Sequence, residues 1–179
     1  MDKTRKNVFL TGAPSSGKTT VIKRVIAGLK PAATGFYTEE ERVNGKRVGF
    51  LMNTLDGKRG YLGHQNIASE FHIRRYGVSI ENIETIATPS ITPADQRVII
   101  IIDEIGKMEC FSRTFREAAI AALDAPNVVL GTITYGGDEF IMGTKKREDI
   151  EIYEVTPDNR DLLPDLILKK IMELVKQQQ

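Results

Sequence analysis

The hydrophobic positions of this chain fall into short continuous runs separated by stretches of helical spacing, and the two alternate along most of its length. The first run, from about Asn7 to Thr11, reads as a strand. After it Val21, Ile22, Val25, Ile26 and Leu29 share one face at 3.6-residue spacing. That spacing predicts a helix over about Lys18 to Leu29, which Pro31 stops. Phe36 and Thr38 then alternate with Glu39 and Glu41, and Val48, Phe50 and Met52 repeat the pattern beyond Asn44-Gly45. Asn-Gly between alternating runs predicts a hairpin, with strands near 35–43 and 46–54 and a turn at Asp56-Gly57. The segment from Arg59 to Val78 is punctuated by glycine and poorly periodic. It is expected to be a loop with room for one short strand.

Ser79 is placed to cap a helix through about Ala87, with Glu81 and Glu84 near its positive end and Pro89 and Pro93 closing it. Val98 to Ile102 is a continuous β-branched run leading straight into Asp103-Glu104. Such a run predicts a central parallel strand buried on both faces. A helix follows from about Ser112 to Asp124, capped by Ser112, with Phe115, Ala119 and Leu123 inward. Val128 to Ile133 and Glu151 to Val155 read as further strands, and Leu162 to Val175 as an amphipathic closing helix. The alternation implies an α/β sheet with right-handed crossovers, helices on both faces and an inserted β-hairpin. With no repeat, low-complexity tract or linker, residues 1–179 are expected to form one domain. Gln177 to Gln179 is expected to be a frayed tail.

Composition adds mainly exclusions. The net charge is +1, so no basic excess points to nucleic acid or an anionic membrane. Cys110 is the single cysteine, which excludes an internal disulfide and fits a reducing compartment. His64 and His72 have no cysteine or histidine at ligand spacing, so no zinc site is expected. Residues 1–7 are charged, and no apolar run approaches the length of a secretory core or a membrane span. A cytoplasmic location is the expectation.

The first strand leads into Gly12, Ala13, Pro14, Ser15, Ser16, Gly17, Lys18, Thr19, and then Thr20 as the helix begins. This is G-x-x-x-x-G-K-[ST] in the strand–loop–helix context a phosphate-binding loop requires. Its glycines let successive N–H groups turn inward as an anion cradle at a helix N-terminus. Lys18 would reach the β- and γ-phosphates, and the Thr19 hydroxyl would sit on Mg²⁺. Asp103, at the end of the buried run, supplies the carboxylate for the same ion. Glu104, one residue on, is placed to orient or deprotonate a water attacking the γ-phosphate. Binding phosphate alone requires no such group.

The run Asp103-Glu104-Ile105-Gly106-Lys107-Met108-Glu109 resembles the signature of the small P-loop nucleoside triphosphatases first described in thermophiles. That family has a human, cancer-related member. Gly12 to Thr20, Gly35 to Glu40 with Arg42 and Gly49-Phe50, and Val155-Thr156 before Asn159-Arg160-Asp161 agree with it in order. The resemblance implies a RecA-like, mixed, mostly parallel sheet. It also implies Mg²⁺-dependent hydrolysis of nucleoside triphosphates to diphosphate and phosphate, with weak base selectivity. Ile105 and Gly106 would lie beside the nucleotide with Asp103 and Glu104. Lys107 becomes a candidate charge stabiliser, and Arg42 and Arg47 candidates for an arginine finger. Asn159 and Arg160 follow a strand C-terminus, where base-side loops sit in open sheets. Ser15 stands where relatives commonly have glycine and Cys110 where leucine is usual. Neither change removes a charged group.

No N-K-x-D guanine-reading tetrad occurs. Two other readings share the same cradle. One is a small-molecule or nucleotide kinase with a basic lid near Lys145 to Arg147; it requires an acceptor pocket, which the sequence does not exclude from residues 55–78. The other is a nucleotide-controlled switch whose protein partner the sequence does not specify.

Overall fold

Ile99 and Ile101 point into one core and Ile100 and Ile102 into another, and none of the four is more than 1% exposed. A strand with no polar face must be covered on both sides, and that requirement sets the architecture. In a computed structural model of the chain, which describes residues 5–93 and 95–178, this strand lies near the middle of a nine-stranded sheet.

The strands are β1 (Asn7–Thr11), β2 (Ala33–Val43), β3 (Lys46–Thr54), β4 (Arg59–His64), β5 (His72–Ile73), β6 (Tyr76–Val78), β7 (Ile99–Ile105), β8 (Val129–Ile133) and β9 (Ile150–Glu154). Their order across the sheet is β5-β6-β4-β3-β2-β7-β8-β1-β9. From β2 to β9 every neighbouring pair is parallel, and from β2 outward to β5 every pair is antiparallel. The helices are α1 (Lys18–Gly28), α2 (Ile80–Asn82), α3 (Thr88–Ser90), α4 (Arg113–Asp124), α5 (Glu139–Lys145) and α6 (Leu163–Gln177). A π-helical turn, Ile83–Ala87, joins α2 to α3. Val21, Ile22 and Val25 of α1 pack with Ile167, Ile171 and Leu174 of α6 over Val8, Leu10, Ile99 and Ile101. On the opposite face Ile83, Phe115, Leu123 and Ile141 cover Phe9, Ile100 and Ile102. No helix among the described residues is long and apolar enough to cross a membrane.

Several expected caps form. Ser112 Oγ accepts the Phe115 N–H at 3.1 Å, and Phe115, Ala119 and Leu123 are buried as their spacing predicts. Ser79 Oγ accepts the Asn82 N–H at 3.2 Å. Pro89 does not close that helix, however. The Thr88 N–H bonds back to Ile83 O, and α3 starts anew with Pro89 in its first turn, where a missing donor is tolerated. The expected loop from 59 to 78 instead holds β4, β5 and β6. Its glycines mark close approach rather than disorder. A Cβ on Gly77 would lie 2.0 Å from Ile67 O, and one on Gly63 would lie 3.1 Å from the Met108 sulfur.

Helix α5 was not visible as periodicity because it is short; the Asp138 carboxylate caps it by accepting the Ile141 N–H at 3.0 Å. Strand β9 begins one residue earlier than its apolar run suggests, since pairing with β1 sets Asn7 opposite Ile150. The expected tail is also shorter. Helix α6 runs through Gln177, the Gln178 side-chain amide donates to Pro126 O at 2.7 Å, and Gln179 lies outside the described residues. Cys110 is buried and free, and burial, with the Glu109 carboxylate next in weight, pushes its thiol pKa up.

Gly35 is where β2 passes closest to β7. Its φ is +112°, and a Cβ there would lie 1.9 Å from Ile101 O. Backbone strain and overpacking each cost about 1–3 kcal/mol. Gly35→Ala is therefore expected to destabilise the fold by about 3 kcal/mol, read as a lowered urea midpoint at unchanged slope.

Candidate active site

The site lies at the C-terminal ends of β1, β7 and β8, where open parallel sheets bind ligands. Between β1 and α1 the chain takes φ +151° at Gly12, +63° at Ser15 and +104° at Gly17. A Cβ on Gly12 would meet Val155 O at 2.7 Å and Ser16 Oγ at 2.8 Å, so only glycine fits. Ser15 holds a left-handed conformation that disfavours its own side chain. Lys18 Nζ folds back over the loop, donating to Gly12 O at 3.2 Å and Ala13 O at 3.4 Å. Ser16 Oγ is buried with no hydrogen-bond partner.

Opposite the loop, Asp103 is 1% exposed. Its Oδ1 accepts the Thr132 hydroxyl of β8 at 2.7 Å, its Oδ2 the Thr38 N–H of β2 at 3.3 Å, and Thr19 adds a third bond. Burial still raises its pKa against these bonds and against Lys18. The donor set that Asp103 and Thr19 present is all oxygen, which suits a hard divalent cation such as Mg²⁺.

Glu104 reaches Lys18, Oε1 to Nζ 3.8 Å, with 28% of its side chain exposed toward the cavity. Burial pushes its carboxyl up to about 7; Lys18 opposes that shift and Asp103 adds to it. Ile105 is fully buried. Gly106 is hemmed by two carboxylates, since a Cβ there would lie 2.8 Å from Glu104 Oε2 and 2.7 Å from Glu109 Oε2. Glu109 is the acidic residue that sequence reasoning left without a role. It is 3% exposed, and burial, with Glu104 next in weight, holds its pKa well above the usual carboxylate range. Its only sequence signal was membership of the Asp103–Glu109 run.

The other expected residues divide. Pro14, Ser15, Gly17, Lys18, Thr19, Thr20, Asp103, Glu104 and the exposed Lys107 line one cavity of about 740 Å³. Arg42 and Arg47 line it too, but Glu40 holds both at 2.6 Å, and Arg47 also donates to Tyr76 Oη at 3.2 Å. Neither guanidinium is free to act as a finger in this conformation. Asn159 builds the turn after β9, its side chain accepting the Thr156 N–H at 2.9 Å and donating to Glu154 O at 2.8 Å. That turn brings the Arg160 stem to the phosphate loop, 3.6 Å from where a Gly17 Cβ would be. Lys145, expected only as part of a basic lid, donates to Tyr135 O at 2.7 Å and interacts electrostatically with Glu104.

Comparison with known proteins agrees with this geometry. Residues 7–168 match the family model described as NTPase. Nucleoside-triphosphatase THEP1 of Thermotoga sp. strain RQ2 is 42% identical over 162 residues, covering 90% of this chain and 92% of that protein. The cancer-related nucleoside-triphosphatase of Homo sapiens is 38% identical over 181 residues, covering 90% and 95%. The crystal structure of THEP1 from Aquifex aeolicus superimposes with a TM-score of 0.84 at 34% identity, covering 92% of this chain and 98% of that one. The solution structure of the human protein gives 0.77 at 36%, covering 92% and 97%. On the family-model match and these identities, this chain belongs to the NTPase family of THEP1 and the human cancer-related nucleoside-triphosphatase.

Proposed function

We propose that this protein is a cytoplasmic, single-domain, Mg²⁺-dependent enzyme that hydrolyses nucleoside 5′-triphosphates of any common base to diphosphate and phosphate. The observation that carries the reading is Glu104 in the cavity beside Lys18, one residue from the bonded Asp103.

In this reading the residues from Gly12 to Thr20 cradle the phosphates, and Lys18 leaves its loop carbonyls for the β- and γ-oxygens. The partnerless Ser16 Oγ gains an acceptor in the same event. Thr19 and Asp103 would hold Mg²⁺, which would supply positive charge against the phosphates. Glu104 takes the proton of the attacking water; a carboxyl raised to about 7 is matched to that task near neutral pH. Glu109 acts as a positioning residue, its buried carboxyl limiting where Glu104 can turn. Lys107 adds positive charge at the cavity mouth, Ile105 and Gly106 shape the floor, and Asn159 presents Arg160 to the base.

Lys18→Ala is expected to weaken triphosphate binding and nearly abolish turnover. Calorimetry with β,γ-imido-ATP and a phosphate-release assay check this, and unchanged values in both would remove the loop from the site.

Glu104→Gln separates chemistry from binding. Affinity for the triphosphate should hold, while turnover at saturation falls by ~10²–10⁴. Asp103→Asn should differ by raising the Mg²⁺ concentration needed for half-maximal rate. A Glu104→Gln rate near that of the parent would exclude the base role.

Weak base selectivity follows from the side chains available. Strong rejection requires buried polar groups that a wrong base leaves unpaired. Arg160 is exposed, and the Asn159 amide is engaged by its own turn. Values of kcat/KM for ATP, GTP, CTP and UTP are expected to lie well within ~10⁴ of one another, the discrimination such pairing can reach.

A further inference from the structure

The acidic groups that line the cavity are unevenly compensated. Glu39, Glu40, Asp103, Glu104 and Glu109 all face it. Lys23 holds Glu39 at 2.5 Å, and Arg42 and Arg47 hold Glu40 at 2.6 Å. The other three have one ion-pair partner among the described residues, Lys18, 3.8 Å from Glu104. Of the remaining cations on the wall, Arg74 lies in the turn between β5 and β6, and Lys107 is exposed. A triphosphate brings more negative charge to the Lys18 end, and its transition state spreads charge over the γ-phosphoryl oxygens. A further cation of the chain aimed there would lower the barrier directly.

Lys145 approaches that end from a different element. Strand β8 lies between β7 and β1, and the turn after it is tied to the Glu104 segment. Thr134, which lines the cavity, donates its N–H to Ile105 O at 3.2 Å. The next carbonyl, Tyr135 O, accepts from Lys145 Nζ at 2.7 Å, and the ammonium lies 5.5 Å from the Tyr135 ring centroid. Both partners are neutral, and among the described residues Lys145 forms no salt bridge. Burial lowers its pKa, and the Glu104 and Glu154 carboxylates act against that shift. The ammonium thus stands in the field of one carboxylate on β7 and another at the end of β9, the strands that bracket β8 and β1. Its backbone is anchored to the same region. Arg116 of α4 donates to Cys110 O, just past the Asp103–Glu109 run, and to Asp138 Oδ2 at 2.9 Å, while Asp138 caps α5. A fixed backbone with the ammonium resting on a carbonyl parallels Lys18, which rests on Gly12 O and Ala13 O.

We propose that Lys145 is a catalytic residue of triphosphate hydrolysis, its ammonium leaving Tyr135 O to contact the γ-phosphoryl group as charge builds there. This step rests on the roles given above to Lys18 and Glu104. The water oxygen bonds to the γ-phosphorus, and its proton passes to Glu104. The bond from that phosphorus to the β–γ bridging oxygen breaks, and the oxygen keeps the electron pair. Exchanging a carbonyl for an anionic oxygen strengthens the hydrogen bond that Lys145 donates. Tyr135 is 61% exposed, so water takes the place of the ammonium at its carbonyl. Lys145 supplies from within the chain the charge that Arg42 and Arg47, held by Glu40, do not.

The test compares the parent with Lys145→Met, Lys145→Gln and Lys145→Arg at saturating ATP and Mg²⁺. Phosphate release is expected to fall ~10²–10³-fold in Lys145→Met, the loss typical of one transition-state donor. Lys145→Gln keeps a donor for Tyr135 O but carries no charge, and should fall as far; Lys145→Arg should recover part of the rate. Affinity for β,γ-imido-ATP should be the same in all four proteins. ADP with aluminium fluoride, which mimics the planar phosphoryl group, should bind the two neutral variants more weakly. A neutral variant that turns over near the parent rate overturns the proposal and leaves the hydrolytic reading standing. Recovery in Lys145→Gln alone also overturns it, since the bond to Tyr135 O would then be what matters. Equal loss of affinity for both analogues does the same, because the contact would not be specific to the transition state. A parent protein that binds the analogue but releases no phosphate removes the hydrolytic reading and this proposal together.

Discussion

Asp103 is the constraint the rest of the structure depends on. A carboxylate 1% exposed is tolerated only when its lone pairs are taken up, because an unpaired buried charge costs several kcal/mol. Its partners come from three elements that are distant in sequence: the Thr132 hydroxyl from β8, the Thr38 N–H from β2 and the Thr19 hydroxyl from the start of α1. Those bonds exist only if β7 lies between β2 and β8, as it does. A slip of one residue in β7 would turn Asp103 into the opposite core and Ile102 toward the loop. The same four isoleucines that bury the strand thus fix which carboxylate faces the phosphates.

Around that anchor the protein departs from the local rules it keeps elsewhere. Asp103, Glu104 and Glu109 crowd together with Lys18 as their nearest ion-pair partner, at 3.8 Å from Glu104. Gly106 lacks a side chain because two carboxylates occupy its space. Across the cleft Ser15 sits at φ +63° and Ser16 Oγ has no partner. Strain, like charges and an orphaned hydroxyl within one cleft all oppose folding. Each is a feature that an anion and its counter-cation would relieve.

The antiparallel strands β3 to β6 serve a different purpose from the parallel half of the sheet. They extend the sheet beyond β2, and Phe50, Leu62, Ile73 and Tyr76 from these strands line the cavity. Glu40 binds Arg42 and Arg47 together, and Tyr76 receives Arg47 and Arg75 on one hydroxyl. This network ties the hairpin strands to one another and engages both arginines. Arg74 alone among the four is left to face the cavity unpaired.

The sequence by itself determined the elements whose physics is local. An unbroken β-branched run can only be a strand buried on both faces, Asn44-Gly45 can readily take the positive φ values a tight hairpin needs, and Ser112 or Ser79 caps whatever helix follows it. The phosphate loop was legible for the same reason, since its cradle is made of its own backbone. Tertiary structure alone decided the rest. Strands β4, β5 and β6 form because β3 offers them partners, and their glycines read as loop until the neighbouring chain that crowds them is known. Arg42 and Arg47 looked like free cations in the sequence, where Glu40 is two residues from one and seven from the other but its side-chain direction is not encoded. Glu109, Thr38 and Thr132 matter through contacts across three strands. Such contacts depend on strand order, a non-local property that spacing along one chain does not carry.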